Sequence, residues 1–198
     1  PETGSVVMAT RTVTFQFPKL SFMFAGSGAY AGTWEVADIG LHADTVSSMP
    51  TPYHYILRET VRPLLRERNK FDHKGVFGHV LLLAGSYGKA GAATLSAGAA
   101  LRTGAGLVTV HTPSSAVLAL QAALPEAMVS PDPAQGNITV IPDLEPFDSI
   151  GAGPGLGTDP DTATALRELL TSASVPLVLD ADALNILAAH PEVIRKPA

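Results

Sequence analysis

The chain has 198 residues, with 18 acidic against 13 basic side chains for a formal net charge of -5, 46% hydrophobic and 16% charged residues, and no cysteine. A charged share below the usual ~25%, with ordinary glycine and proline usage, describes a packed globular chain and excludes collagenous and low-complexity classes. Without a basic cluster a nucleic-acid partner is not expected, without cysteine there are no disulfides or thiolate sites and the setting fits a reducing cytoplasm, and no apolar run approaches the ~20 residues of a membrane span.

Pro1-Glu2-Thr3-Gly4-Ser5 has neither the basic start nor the apolar run of a secretory signal, and it does not begin with Met. Residues 6–43 read as short β segments, because Thr12-Val13-Thr14-Phe15-Gln16-Phe17 and Gly32-Thr33-Trp34-Glu35-Val36-Ala37-Asp38-Ile39 alternate with period two. The polar, proline-containing stretch 44–52 is the linker candidate, and a helix is expected over 57–68.

From Gly78 onward the chain repeats apolar strand, glycine-rich turn and Ala/Leu-rich helix, the pattern of a parallel α/β sheet flanked by helices. Strands are expected at 79–84, 107–111, 149–152 and 177–179, and helices at 91–104, 115–122, 160–173 and 182–189. The series stops abruptly after its last helix, which together with the missing Met leads to the expectation of a piece of a longer protein.

Three strand ends carry residues suited to a ligand. Gly85-Ser86-Tyr87-Gly88-Lys89-Ala90-Gly91 follows a strand and opens a helix, where free backbone N–H groups and the helix dipole favour an anion. It is neither a Walker A loop nor GxGxxG, and it reads equally as a tight turn. Ala92 and Ala93, in the first helical turn, leave that backbone open to a ligand. Gly151-Ala152-Gly153-Pro154-Gly155-Leu156-Gly157 holds more glycine than one turn needs, which favours a molecule lying against bare backbone. In Leu179-Asp180-Ala181-Asp182-Ala183-Leu184-Asn185, Asp180 is read as a carboxylate for Mg²⁺ or phosphate slightly ahead of a helix cap, and Asp182 as a helix N-cap ahead of such chemistry. Lys74, in His73-Lys74-Gly75-Val76-Phe77-Gly78, is more simply a solvated lysine than a phosphate ligand. The histidines at 42, 54, 73, 79, 111 and 190 lack metal-ligand spacing such as HExxH, so no metal site is assigned. Ser114-Ser115 lacks a GxSxG elbow.

Taken together, His73-Lys74-Gly75-x-x-Gly78, Ala84-Gly85-Ser86 with Gly91-Ala92-Ala93, Ala100-Leu101-Arg102-x-Gly104-x-Gly106-Leu107-Val108-Thr109-Val110, Pro125-Glu126-Ala127-Met128, Gly153-Pro154-Gly155-Leu156-Gly157 and Asp180-Ala181-Asp182-Ala183-Leu184-Asn185 resemble the ADP-dependent NAD(P)H-hydrate dehydratases, which are ribokinase-like enzymes. Residues 6–43, with Arg11-Thr12-Val13-Thr14-Phe15, Pro18-Lys19 and Ala37-Asp38-Ile39-Gly40-Leu41, resemble the tail of the NAD(P)H-hydrate epimerase domain that precedes the dehydratase in bifunctional bacterial proteins. The resemblance implies a division into 1–46, a β-rich epimerase remnant, and 47–198, the first part of an incomplete ribokinase-like dehydratase domain.

It also implies the reaction. NADH or NADPH carrying water at C6 of the nicotinamide ring is phosphorylated on that hydroxyl by ADP or ATP with Mg²⁺, and phosphate then leaves; the epimerase part of such a protein would use K⁺. By motif matching, Ala92 and Gly155 would touch the dinucleotide and Asp180 would lie toward the phosphates. Members of the family continue with Thr-Pro-His, Lys-Gly and Gly-Thr-Gly-Asp motifs, the last supplying the expected base. This chain ends before all three, so the catalytic Asp is expected beyond Ala198 and none is assigned within the chain. The isolated chain is therefore expected to be inactive, and apolar sheet surface left uncovered would favour a homo-oligomer. Two other readings share these features: a ribokinase-like small-molecule kinase, and a non-catalytic nucleotide-binding or interaction module.

Overall fold

The alternation around Thr12 and Trp34 produces two strands, β1 (Arg11–Phe15) and β2 (Thr33–Ala37), which pair in parallel with Arg11 opposite Thr33 and Phe15 opposite Ala37. The computed structural model describes residues 4–191 and divides the chain into two compact units, Pro1–Leu64 and Leu65–Ala198. Parallel strands need a crossover between them, and here it holds a 3₁₀ turn, Leu20–Met23, and one turn of helix, α1 (Ala25–Gly28). Trp34 packs between Phe22 and Tyr55, with ring centroids 6.0 Å away on each side. Helix α2 (Ala43–Ser48) follows.

The helix expected over 57–68 is a correction. Only α3 (Arg58–Val61) and a 3₁₀ turn, Arg62–Leu64, form there. Pro63 cannot donate into a helical ladder, and every residue from 57 to 65 is exposed, so no buried face supports a longer helix.

The second unit is built on a five-stranded, all-parallel sheet in the order β5-β4-β3-β6-β7, as the sequence leads one to expect. Strand β3 (His79–Leu83) leads into α4 (Ala90–Thr103), β4 (Leu107–Pro113), α5 (Val117–Ala123) and β5 (Met128–Asp132). The chain then crosses to the other side of β3 and forms β6 (Ser149–Ala152), α6 (Pro160–Ser172), β7 (Leu177–Leu179) and α7 (Ala181–Ala189). Strand β5 was not expected from sequence. Pro131 within it withholds a ladder donor, which suits the edge position that β5 occupies.

Alternation along β3 feeds two cores. Leu81 and Leu83 join Ile150, Leu166, Leu169 and Ile186 on the face covered by α6 and α7. Ala84, with Val80 and Leu82 beside it, joins Ala93, Ala97, Val108, Val110 and Leu120 on the face covered by α4 and α5. Small residues let α4 pack closely: Ala93 and Ala97 are fully buried. The helix ends where Gly104 takes a left-handed conformation (φ 115°) and its amide bonds back to the Ala100 and Leu101 carbonyls. Helix α6 starts with Asp159 accepting the Asp161 amide, followed by Pro160 in the first turn.

Candidate functional site

Strands β3 and β6 are neighbours, yet the chain leaves them in opposite directions, β3 toward β4 and β6 toward β7. Such a reversal opens a crevice at the carboxyl ends of the two strands, the place where open parallel sheets bind ligands. Both glycine-rich segments singled out in the sequence lie there. The loop after β3 is tied to the loop after β6 by the Gly85 amide, which donates to the Pro154 carbonyl (2.9 Å), and by the Ser86 hydroxyl, which donates to the Gly155 carbonyl (2.7 Å).

Ala92 and Gly155 meet at this junction. Gly155 has φ 68°, and a Cβ built on it would lie 2.9 Å from the Ala92 Cβ and 3.1 Å from the Lys89 carbonyl oxygen. The glycine is required on both counts, conformation and space. Helix α4 opens over the same spot without a side-chain cap. Gly88 and Gly91 have open space where a Cβ would stand, so the first turn of α4 presents bare backbone, the condition for an anionic or flat ligand.

Asp180 reaches the same edge through its backbone. Its amide donates to the Ala152 carbonyl (3.0 Å), and a Cβ on Gly153 would fall 1.7 Å from the Asp180 carbonyl oxygen. It occupies the N-cap position of α7, but its side chain makes no capping bond and is exposed. The next residue, Ala181, is strained at φ 47°, a region that non-glycine residues rarely enter.

Asp182, read from sequence as the cap, is a correction. Its carboxylate accepts the Gly157 amide at 2.8 Å and the Asn185 side-chain amide at 3.1 Å, and pairs with the Lys89 ammonium at 3.3 Å. The Gly157 amide holds its carboxyl below the ordinary value; partial burial opposes this, while Asn185 and Lys89 add to it. No local pattern reveals the role, since Lys89, Gly157 and Asp182 are far apart in sequence.

A buried polar pair, His111 and Asp132, lies on β4 and β5. His111, within β4, contacts Ser130 Oγ (3.0 Å), Asp132 Oδ2 (3.3 Å) and the Val140 carbonyl (3.1 Å). Asp132 accepts the amides of Ala134, Thr139 and Val140 and the Thr139 hydroxyl, anchoring a loop whose Gly136 carbonyl accepts the Tyr87 amide (2.7 Å). Burial lowers the pKa of His111, and the Asp132 and carbonyl contacts only partly offset it. For Asp132 burial pushes upward, and the four donated bonds outweigh it, so its pKa is also lowered.

Lys74 does not reach this site. It lines a pocket of about 350 Å³ with Arg68, Phe77, Gly106 and Glu126, just before β3 and β4 begin and so at the opposite end of the strands. Its backbone is pressed against Gly106, where a Cβ would lie 1.7 Å from the Lys74 carbonyl oxygen, which gives that motif a packing role. Among the described residues no three His, Asp or Glu groups are placed to hold a metal ion. Mg²⁺ carried by phosphates needs only one or two protein carboxylates, and Asp180 is an exposed one at the correct end of the sheet.

The Carb_kinase family model, NAD(P)H-hydrate dehydratase, matches residues 80–198. A bifunctional NAD(P)H-hydrate repair enzyme from Moorella thermoacetica is 37% identical over 96% of this chain and 38% of its own length. An ADP-dependent (S)-NAD(P)H-hydrate dehydratase from Lactiplantibacillus plantarum is 42% identical over 67% of this chain and 48% of its own length. Among solved structures, a ribokinase-like superfamily protein from Enterococcus faecalis superposes with a TM-score of 0.59 at 26% identity, over 72% of this chain and 52% of that one. An ADP/ATP-dependent NAD(P)H-hydrate dehydratase from Bacillus subtilis, co-crystallised with ATP and Mg²⁺, gives 0.54 at 35% identity, over 64% of this chain and 45% of that one. The chain thus spans 38% of the length of the bifunctional relative and 48% of the single dehydratase.

Proposed function

Because this chain belongs to the NAD(P)H-hydrate dehydratase family, we propose that it supplies the dinucleotide-facing part of an enzyme that repairs hydrated NADH or NADPH. The observation that carries the reading is the meeting of Ala92 and Gly155 in the crevice between β3 and β6. In this reaction the C6 hydroxyl takes a phosphoryl group from ADP or ATP; phosphate then leaves C6 as a proton leaves the neighbouring ring carbon, restoring the double bond. Mg²⁺ would neutralise charge on the transferring phosphoryl group.

The residues of this chain bind and orient. The backbone at Gly155 and Gly157 and in the first turn of α4 lets the dinucleotide lie flat with Ala92 and Gly155 against it. The uncapped start of α4 favours its phosphates, and Asp180 faces the nucleotide phosphates. The base that takes the hydroxyl proton is placed outside these residues. The family match and the relatives support repair over a small-molecule kinase or a non-catalytic module.

The same reading assigns 1–46 to the end of an epimerase domain, with K⁺ belonging to that activity, and 47–198 to the start of the dehydratase domain. In support, the family model begins at residue 80, while the bifunctional relative matches 96% of the chain. A cytoplasmic homo-oligomer without nucleic-acid or membrane partners completes it. Against a nucleic-acid partner stands the net charge of -5 without a basic cluster.

The test is to supply hydrated NADPH, ADP or ATP, and Mg²⁺ to the natural full-length protein containing this chain and to the chain alone, and to follow the return of reduced-nicotinamide absorbance. Turnover by the longer protein and none by the chain alone is expected. Failure of the longer protein would contradict the reading.

A further inference from the structure

Asp182 is bonded to two loops that approach from different strands. Through Gly157 it holds the loop after β6, and through Lys89 the loop after β3, with contacts of 2.8 and 3.3 Å. Lys89 in turn is packed on the glycine at the junction: a Cβ on Gly155 would lie 3.1 Å from the Lys89 carbonyl oxygen and 3.2 Å from the Lys89 Cβ. The Lys89 carbonyl also accepts the Ala92 amide at 3.1 Å. The contacts therefore close a ring, from Asp182 to Gly157, along the backbone to Gly155, across to Ala92 and Lys89, and back to Asp182.

We propose that Asp182 is a positioning residue, which through Lys89 and Gly157 holds the two glycine-rich loops at the spacing that lets a dinucleotide lie against Ala92 and Gly155. The inference rests on the dinucleotide reading above and adds a residue to which that reading gives no role. Its energetic signature differs from that of a stability contact. The Lys89 side chain is 52% exposed, and exposed ion pairs contribute little to folding. A small displacement of a ligand-positioning loop, by contrast, is felt strongly in binding. Asp182→Asn keeps an oxygen able to accept the Gly157 amide and removes the charge that holds Lys89, so it separates the two contributions.

The experiment measures NADP⁺ affinity by calorimetry, together with the thermal midpoint, for the 198-residue chain and for Asp182→Asn, Lys89→Met, their double variant and Lys89→Arg. Each of the first two is expected to weaken NADP⁺ binding about tenfold, with the double variant no weaker than either single one, because both act through one contact. Lys89→Arg should retain most of the affinity, and the midpoints should change by only a few degrees. Unchanged affinity in the single variants, or losses that add in the double variant, would overturn the proposal while leaving the dinucleotide reading in place. Losses in affinity matched by equal losses in folding stability would make the contact merely structural and would also overturn it. A wild-type chain that does not bind NADP⁺ at all would instead contradict the dinucleotide reading, and this inference with it.

Discussion

Ala92 and Gly155 stand against each other across the crevice between β3 and β6, so closely that a Cβ on Gly155 would lie 2.9 Å from the Ala92 Cβ. The left-handed backbone at Gly155, φ 68°, adds a conformational cost of about 1–2 kcal/mol for any other residue. Gly155→Ala is therefore expected to lower the unfolding free energy by more than that amount in urea titrations, because the clash with Ala92 and the Lys89 carbonyl adds to the backbone cost, and to reduce NADP⁺ affinity as well because the added methyl fills the junction.

Gly153 and Gly91 make a contrasting pair. At Gly153 a Cβ would fall 1.7 Å from the Asp180 carbonyl oxygen, whereas at Gly91 nothing lies within 4 Å. Gly153→Ala must push β6 and β7 apart and should cost more than about 3 kcal/mol, among the largest effects of a single substitution. Gly91→Ala, in a helix and without a clash, should be neutral or stabilising by about 0.5–1 kcal/mol. Chemical denaturation of both variants checks the ordering.

The hydroxyl of Thr112 is buried at 0% exposure and has no hydrogen-bond partner among the described residues. It faces the backbone of Gly85, where a Cβ would lie 2.9 Å from it. A buried hydroxyl without a partner costs about 1–3 kcal/mol, and valine has nearly the same shape. Thr112→Val should raise the thermal midpoint by about 2–4 °C for each kcal/mol regained. A lower midpoint would show that the hydroxyl is satisfied in solution.

Acidification should weaken the fold in two stages. His111 has a folded pKa below its ordinary 6.5, so the unfolded chain takes up a proton first, and stability falls as pH drops from 6.5 toward the folded value. Asp132 has a folded pKa below its ordinary 3.8, so the stability it contributes is present above 3.8 and is lost as pH falls through its folded value. His111→Gln, which cannot titrate, should flatten the first stage and leave the second. Denaturant midpoints across the acid range read both.

The sheet was legible because its central strands are short, largely apolar runs followed by glycine, as at Leu83-Ala84-Gly85 and Ile150-Gly151-Ala152-Gly153. What was hidden depends on tertiary position. Strand β5 contains Pro131, which suits only the edge where the fold places it. The helix expected over 57–68 contains Pro63 and has no buried face to support it. The motifs of Ala92 and Gly155 pointed to the strand ends at which the two residues meet, whereas Asp182 looked like an N-cap because capping is a local pattern, and its actual partners, Lys89 and Gly157, are neighbours only after folding.

The central claim is that the ligand lies at the junction of the loops after β3 and β6. The most direct measurement is the change in backbone amide NMR shifts across the chain on titration with NADP⁺. The account predicts that the largest changes fall in residues 85–93 and 153–157, with Ala92 and Gly155 among them. Changes confined to the pocket around Arg68, Lys74 and Glu126, with the junction silent, would contradict it.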